Sequence, residues 1–174
     1  MLDTPRLRLR ELTPHDLDFV AAMLSDPEVM RFYPKRLTRE EAAVWIERQR
    51  GRYVSDGHGL WLAQRREDDQ PVGQVGLTMQ PVGDRSEPEV GYLIHRPWWR
   101  RGYASEAAAA VRDHAFDTLG KPRVVSLIRP ENTPSRGVAI KIGMTLVGEA
   151  DHAGLPHLIY VVSTERARGT GAAD

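Results

Sequence analysis

Apolar positions along the chain recur at two periods, and the change from one to the other predicts the elements. Over residues 6–12, Leu7 and Leu9, followed by Leu12, face one way and Arg6, Arg8 and Arg10 the other, which predicts a first strand. Thr13-Pro14 then has the form of a cap and first helical residue, and Leu17, Val20, Ala21 and Leu24 make a helical stripe that Ser25-Asp26-Pro27 ends. Thr38-Arg39-Glu40-Glu41 is a capping box for a second helix whose buried side is Ala42, Trp45, Ile46 and Tyr53. Residues 60–64 and 72–79 read as strands joined by the polar turn 66–70, a hairpin in which Gly73 and Gly76 predict a bulge or a close backbone approach. After a polar turn at 82–87, residues 89–95 alternate again with Val90, Tyr92 and Ile94 on one face. Ala104, Ala107, Ala108, Val111, Ala115 and Leu119 form the stripe of a third helix, stopped by Gly120. A short apolar strand at 123–128, a helix opened by Glu131-Asn132-Thr133-Pro134-Ser135 and closed by Gly143, and strands at 145–149 and 157–163 around Gly154-Leu155-Pro156 complete the pattern. The order predicts one α/β (α+β) domain over 1–163, a mixed sheet carrying helices, with a polar tail at 164–174.

Composition narrows the chemistry. Lys+Arg and Asp+Glu are both 24, so the formal net charge is zero, which argues against a general nucleic-acid binder that needs a basic surplus. The absence of cysteine removes disulfides, thiolate nucleophiles and thiolate metal sites, and the six histidines have no metal-ligand spacing, so no metal is expected. No apolar run reaches membrane-spanning length and the N-terminus lacks a signal peptide's apolar core, so a cytoplasmic protein with no membrane partner is expected.

The chemistry concentrates where the 89–95 strand turns into the third helix, at Arg96-Pro97-Trp98-Trp99-Arg100-Arg101-Gly102-Tyr103-Ala104-Ser105. The first N–H groups of a helix lack intrahelical partners and carry the positive end of its dipole. Gly102 and Ala104 let an anion approach the backbone, and Arg100 and Arg101 add positive charge, a combination suited to a pyrophosphate.

At these residues the chain resembles the GNAT superfamily of acyl-CoA-dependent N-acetyltransferases. Gly102 and Ala104 match its acetyl-CoA loop, Gln/Arg-x-x-Gly-x-Gly/Ala, while Trp99 stands at the Gln/Arg position and Arg100 where glycine is common. Tyr103-Ala104-Ser105-Glu106-Ala107, Glu89-x-Gly91-Tyr92, Asn132-x-x-Ser135 and Lys141-x-Gly143 are together similar to the branch holding ribosomal-protein N-terminal acetyltransferases. The likeness runs from Thr4-Pro5-Arg6-Leu7 to about Val162. It implies a mostly antiparallel sheet of about seven strands with four helices and a splay between the two central strands.

It also implies a site. Backbone groups of Leu93 and Ile94 would hold the pantetheine arm of acetyl-CoA, and the backbone of Arg100, Arg101, Gly102, Tyr103, Ala104 and Ser105 the diphosphate. One of Arg96, Arg100 and Arg101 would reach the ribose phosphate. Asn132 would bind the pantetheine amide and Ser135 lie near the sulfur as acid or hydrogen-bond donor, in a helix where Ala139 occupies the place of the tyrosine many relatives use. Glu89 is the candidate base for the attacking amine, with a solvated edge glutamate as the alternative, and Asn132 and Ser135 have helix capping as theirs. Glu106, in the first turn of the third helix, is expected to be structural. Residues 30–37, with Phe32-Tyr33-Pro34, and 148–157 would shape the acceptor site. Acetyl transfer to a primary amine follows, either a peptide or protein α-amine or a small molecule; a non-catalytic acyl-CoA-binding module is the third possibility, disfavoured by the intact Asn132/Ser135 pair. Oligomeric state is open, with a homodimer as one option.

Overall fold

The computed structural model describes residues 1–165. In chain order it comprises β1 (Leu2–Asp3), β2 (Leu7–Arg10), α1 (Leu17–Ser25), α2 (Arg39–Ser55), β3 (Leu60–Arg65), β4 (Pro71–Val82), β5 (Arg85–Ile94), α3 (Tyr103–Asp117), β6 (Arg123–Ile128), α4 (Thr133–Lys141), β7 (Thr145–His152) and β8 (Leu155–Ser163). The eight strands form one sheet, β1-β2-β3-β4-β5-β6-β8-β7, antiparallel except for the β5–β6 contact at its centre. The strand beyond the expected seven is β1, two residues that carry no period of their own and pair with Leu9 and Arg8 of β2.

Alternation along each strand splits the core between two faces. Trp61 and Ala63 of β3 join Val90 and Ile94 of β5 under α3, which contributes Ala107, Ala108, Val111 and Ala115. The intervening Leu62 and Leu93 turn to the opposite face, against Val20, Met23 and Leu24 of α1 and Ala42 and Ile46 of α2. The α2 capping box forms as expected: Glu41 N–H donates to Thr38 Oγ1 at 3.3 Å and Thr38 N–H to Glu41 Oε2 at 2.9 Å. At Gly76 a Cβ would lie 2.0 Å from the Gly59 carbonyl oxygen, so the glycine marks a close backbone approach.

Four boundaries differ from the pattern, the first being the start of α1, where Pro14–Asp16 form a separate 3-10 turn and the α-helix begins at Leu17. The polar stretch 82–87 is not a loop: β4 and β5 continue to a two-residue turn between Val82 and Arg85. Glu87 points inward, 6% exposed, and its charge is met by Arg123 Nε at 3.0 Å, which a period that counts every charge as outward misreads. The last hairpin turns at Ala153-Gly154, so Leu155 and Pro156 belong to β8. Of the expected tail, residues 166–174 lie outside the described residues, and Thr164 N–H donates to the Pro122 carbonyl at 3.1 Å.

What positions the site is the parting of β5 and β6. Their register holds at one pair, Glu89 with Val125. Beyond it two side chains replace the ladder. Ser126 Oγ donates to the Val90 carbonyl at 2.7 Å, and Leu127 N–H donates to Glu89 Oε1 at 3.2 Å. Side chains thus satisfy buried backbone groups that the parting strands leave open.

Candidate functional site

Two cavities lie on either side of this parting. The larger, about 470 Å³, is walled by Phe32, Tyr33 and Pro34, by the inner face of α2, by Glu89, and by His152, Ala153, Leu155 and His157 of the β7–β8 hairpin. The smaller, about 440 Å³, runs from Leu93 and Ile94 over Arg100 to Ser105 and on to Pro134, Ser135 and Val138. They share Phe32, Tyr33, Tyr92, Leu93, Asn132 and Ser135, so the two meet where the sheet splits. The loops expected to shape the acceptor site, 30–37 and 148–157, both contribute to the larger cavity.

The smaller cavity includes the start of α3. The first backbone bond of α3 is Glu106 N–H to the Gly102 carbonyl, at 3.1 Å, which leaves the N–H groups of Tyr103, Ala104 and Ser105 outside the helical ladder. Gly102 has φ +80°, and Arg100, at the family's glycine position, adopts φ +61°. A left-handed arginine costs about 1–2 kcal/mol, so the loop holds a strained backbone next to the helix start. Arg100 lines the cavity; Arg96 and Arg101 do not. The Arg101 guanidinium lies 4.9 Å from the centre of the Trp98 ring, which lines the cavity, and the Arg101 carbonyl accepts Arg6 Nη1–H at 2.9 Å. Tyr103 is 8% exposed and edge-on to Trp98.

The gap also revises which β5 backbone groups are free. His95 N–H donates to the Val72 carbonyl, and Val90 accepts from Ser126 on the opposite edge. By antiparallel alternation, the peptide groups of Leu93 face β4, and those of Tyr92 and Ile94 face the gap. Trp99 Nε1–H, at the place of the family's Gln/Arg, donates to the Ile94 carbonyl at 2.6 Å. Of the two residues expected to offer free backbone, Leu93 is therefore engaged with β4; Tyr92 takes its place.

Glu89 is half-buried where it lines the larger cavity. Burial raises its pKa, opposed by the Leu127 N–H, by Gln80, and by the charges of His157 and Arg52. Ser135 stands on the α4 face that includes Val138 and the buried Ala139 and Ile142, as its spacing predicts. The cap of α4 is the Asn132 side chain: Oδ1 accepts Ser135 N–H at 3.2 Å. It uses the serine's backbone and not its hydroxyl, which makes no hydrogen bond within the described residues. Tyr92, which the pattern placed only in the core, donates its hydroxyl to the Ser135 carbonyl at 2.7 Å. Burial, and then Glu89, raise its pKa, so it stays a donor. A tyrosine turned inward needs a partner for its hydroxyl, and a serine amid Val124, Val125, Leu127 and Ile128 likewise signals a bond to be made; these were the available hints for Tyr92 and Ser126. His95 lines neither cavity; it packs edge-on to Phe19, and burial lowers its pKa.

Glu106 is structural, with partners no pattern shows. Its carboxylate accepts Thr4 Oγ1–H at 2.6 Å, Arg6 N–H at 2.8 Å and Arg6 Nε–H at 2.6 Å. Burial alone would raise its pKa; these bonds outweigh it and hold the carboxyl below its ordinary value.

A parted central strand pair lies beside an unpaired helix start, and comparison with known proteins shows the family that shares this chain's fold. A model described as an acetyltransferase (GNAT) domain matches residues 6–145, and the chain belongs to this family of acetyltransferase enzymes. It is 33% identical over 144 residues to the uncharacterized protein YkkB of Bacillus subtilis (strain 168), covering 82% of this chain and 84% of that one. The solved acetyltransferase of Agrobacterium tumefaciens superposes with a TM-score of 0.81 at 31% identity over 94% of both chains. RimL, a ribosomal L7/L12 alpha-N-protein acetyltransferase solved in complex with coenzyme A, shares the fold at a TM-score of 0.75 and 16% identity, covering 92% of this chain and 95% of that one. Among the described residues no helix is long and apolar enough to cross a membrane, and no group of three His, Asp or Glu side chains could hold a metal ion.

Proposed function

We propose that the protein transfers the acetyl group of acetyl-CoA to a primary amine. The observation that carries this is the meeting of the two cavities at the strand parting, with anion-binding backbone on one side and a pKa-raised carboxylate on the other. The residues fit the cosubstrate. The N–H groups of Tyr103, Ala104 and Ser105, with Arg100, suit a diphosphate, the gap-facing peptides of Tyr92 and Ile94 suit an amide-bearing arm, and Asn132 and Ser135 stand at the junction. Bound there, acetyl-CoA supplies an activated acyl carbon and a thiol leaving group.

The protein's part is proton handling and alignment. An aliphatic amine is mostly protonated at neutral pH and must lose a proton to attack. Glu89 takes that proton, directly or through one water; its raised pKa brings it closer to the working pH than an ordinary carboxylate. Ser135 Oγ donates a hydrogen bond at the leaving sulfur, and the Tyr92 hydroxyl fixes the helix turn that carries it.

The test is a thermal melt. Acetyl-CoA at a hundred times its dissociation constant should stabilise the wild type by about 2.7 kcal/mol. Ser105→Asp places a carboxylate in the first turn of α3, where the dipole tolerates it but a diphosphate is repelled. That variant should melt as the wild type does alone and lose the shift. A wild type indifferent to acetyl-CoA sinks the proposal.

A further inference from the structure

The acceptor-side cavity carries positive charge that an amine by itself does not call for. Trp45, Arg48 and Arg52 recur at three and four along α2, and all three line the cavity, as does Arg129 just after β6. Neither Arg48 nor Arg52 is in a salt bridge among the described residues. Arg52 has a 3.3 Å hydrogen bond to Gln49 Oε1; burial first, and then Arg48, lower its pKa, while Asp56 and Glu89 raise it. Two like charges of α2, Arg48 and Arg52, are therefore gathered on this wall with no salt-bridge partner among the described residues.

The same wall holds buried donors with nothing to donate to. Gln74 is 0% exposed; its Oε1 accepts Trp45 Nε1–H at 2.8 Å, and its Nε2 has no partner among the described residues. Arg129 Nε is likewise buried and unpaired, although its Nη2 binds Glu131 at 2.7 Å. An unmet buried donor is costly, and a ligand bringing acceptor oxygens offsets that cost. Glu89 is the acidic side chain lining the cavity among the described residues, and it sits at the strand parting beside Leu127. One cavity thus holds a carboxylate suited to an ammonium, at Glu89, together with guanidinium groups suited to an anion, on α2 and at Arg129.

We propose that the acceptor is a primary amine that also bears an anionic group, a carboxylate or phosphate, held by Arg48 and Arg52 with Gln74 Nε2 and Arg129 Nε as further donors. Bidentate guanidinium contacts suit either group. This rests on the acetyl-transfer function above and names the substrate class for the same site. A small amino acid, a phosphorylated amine and an acidic peptide N-terminus share this chemistry.

Thiol release from acetyl-CoA would be compared across sets of related acceptors that differ in charge: glycine, glycinamide and ethylenediamine; phosphoethanolamine and ethanolamine; and the amidated dipeptides Ser-Asp, Ser-Asn and Ser-Lys. In at least one set the anionic member should exceed its counterparts by about tenfold or more in kcat/KM, and that set identifies the source. In Arg52→Gln the preference should fall by about tenfold, carried by KM. Neutral or cationic members that match the anionic ones overturn the proposal. A second measurement needs no turnover. With coenzyme A saturating, N-acetylglycine should raise the melting point of the wild type more than N-acetylglycinamide does, and Arg52→Gln should erase the difference. Equal effects of acid and amide overturn the anion site even when acetyl-CoA itself stabilises the protein, whereas loss of the acetyl-CoA shift would instead sink the underlying function.

Discussion

Ser135 gives its backbone N–H to the Asn132 cap and keeps its hydroxyl for the junction of the cavities. Capping and chemistry therefore use different atoms of one residue, and Ser135→Ala separates them. The cap survives and alanine favours the helix, so stability should stay within about 0.5 kcal/mol. If the hydroxyl serves the leaving sulfur, kcat falls by roughly 10²-fold with acetyl-CoA affinity kept. An unchanged kcat would leave the hydroxyl idle. Glu89 is tested by pH. The base form is the carboxylate, so kcat/KM rises with pH through the folded pKa. Burial raises that pKa, and the limb should lie above the ordinary glutamate value of about 4.3. Glu89→Gln still presents an oxygen to Leu127 N–H, so the strand parting persists, while kcat drops by about 10²–10⁴-fold and the limb disappears. A limb that survives in Glu89→Gln assigns the base to another group.

Between elements, the joint that matters most is α3 against the start of β2. Glu106 ties the first turn of α3 to Thr4 and Arg6, and Arg6 holds the Arg101 carbonyl of the loop before the helix. The carboxylate thereby fixes the loop whose N–H groups face the smaller cavity. Its folded pKa is lowered, so its contribution is present above the unfolded pKa of about 4.3 and is lost as pH falls through the folded value. With Arg6 half-exposed, Glu106→Gln should cost about 1–2 kcal/mol at pH 7 in urea unfolding. The gap between wild type and variant should close in acid. A gap independent of pH would mean that packing, not charge, makes the joint.

Over the whole molecule, one sheet with a core on each face places two cavities back to back. The start of helix α3 lines the smaller cavity, and α2 with the β7–β8 hairpin lines the larger. The parting of β5 and β6 joins them, and Ser126 and Glu89 stabilise it by taking over hydrogen bonds the backbone ladder gives up. The cost of an unfinished ladder is thus met locally, and elsewhere the register shifts at Ala63/Gln64 and at Leu146/Gly148.

The element order, both caps at the starts of α2 and α4, the α3 stripe and the helix-start loop were legible in the chain, because each depends on residues within a few positions of one another. Ser135 and Glu89 were legible as candidates for the same reason: one lies on a helical face, the other on a strand already marked by its alternation. Tertiary structure decided what depends on distant partners. Glu87 is inward because Arg123 meets it, and Glu106 is bound by residues about a hundred positions away. Which β5 peptides face the gap depends on register with β4, and a one-residue change would exchange Leu93 for Tyr92 and Ile94. Arg48 and Arg52 share a helical spacing, but Gln74 and Arg129 lie far from them in the chain, and only the folded sheet and α2 bring these charges and unpaired donors to one cavity. Local periodicity encodes elements; long-range pairing, which no short window contains, sets the chemistry between them.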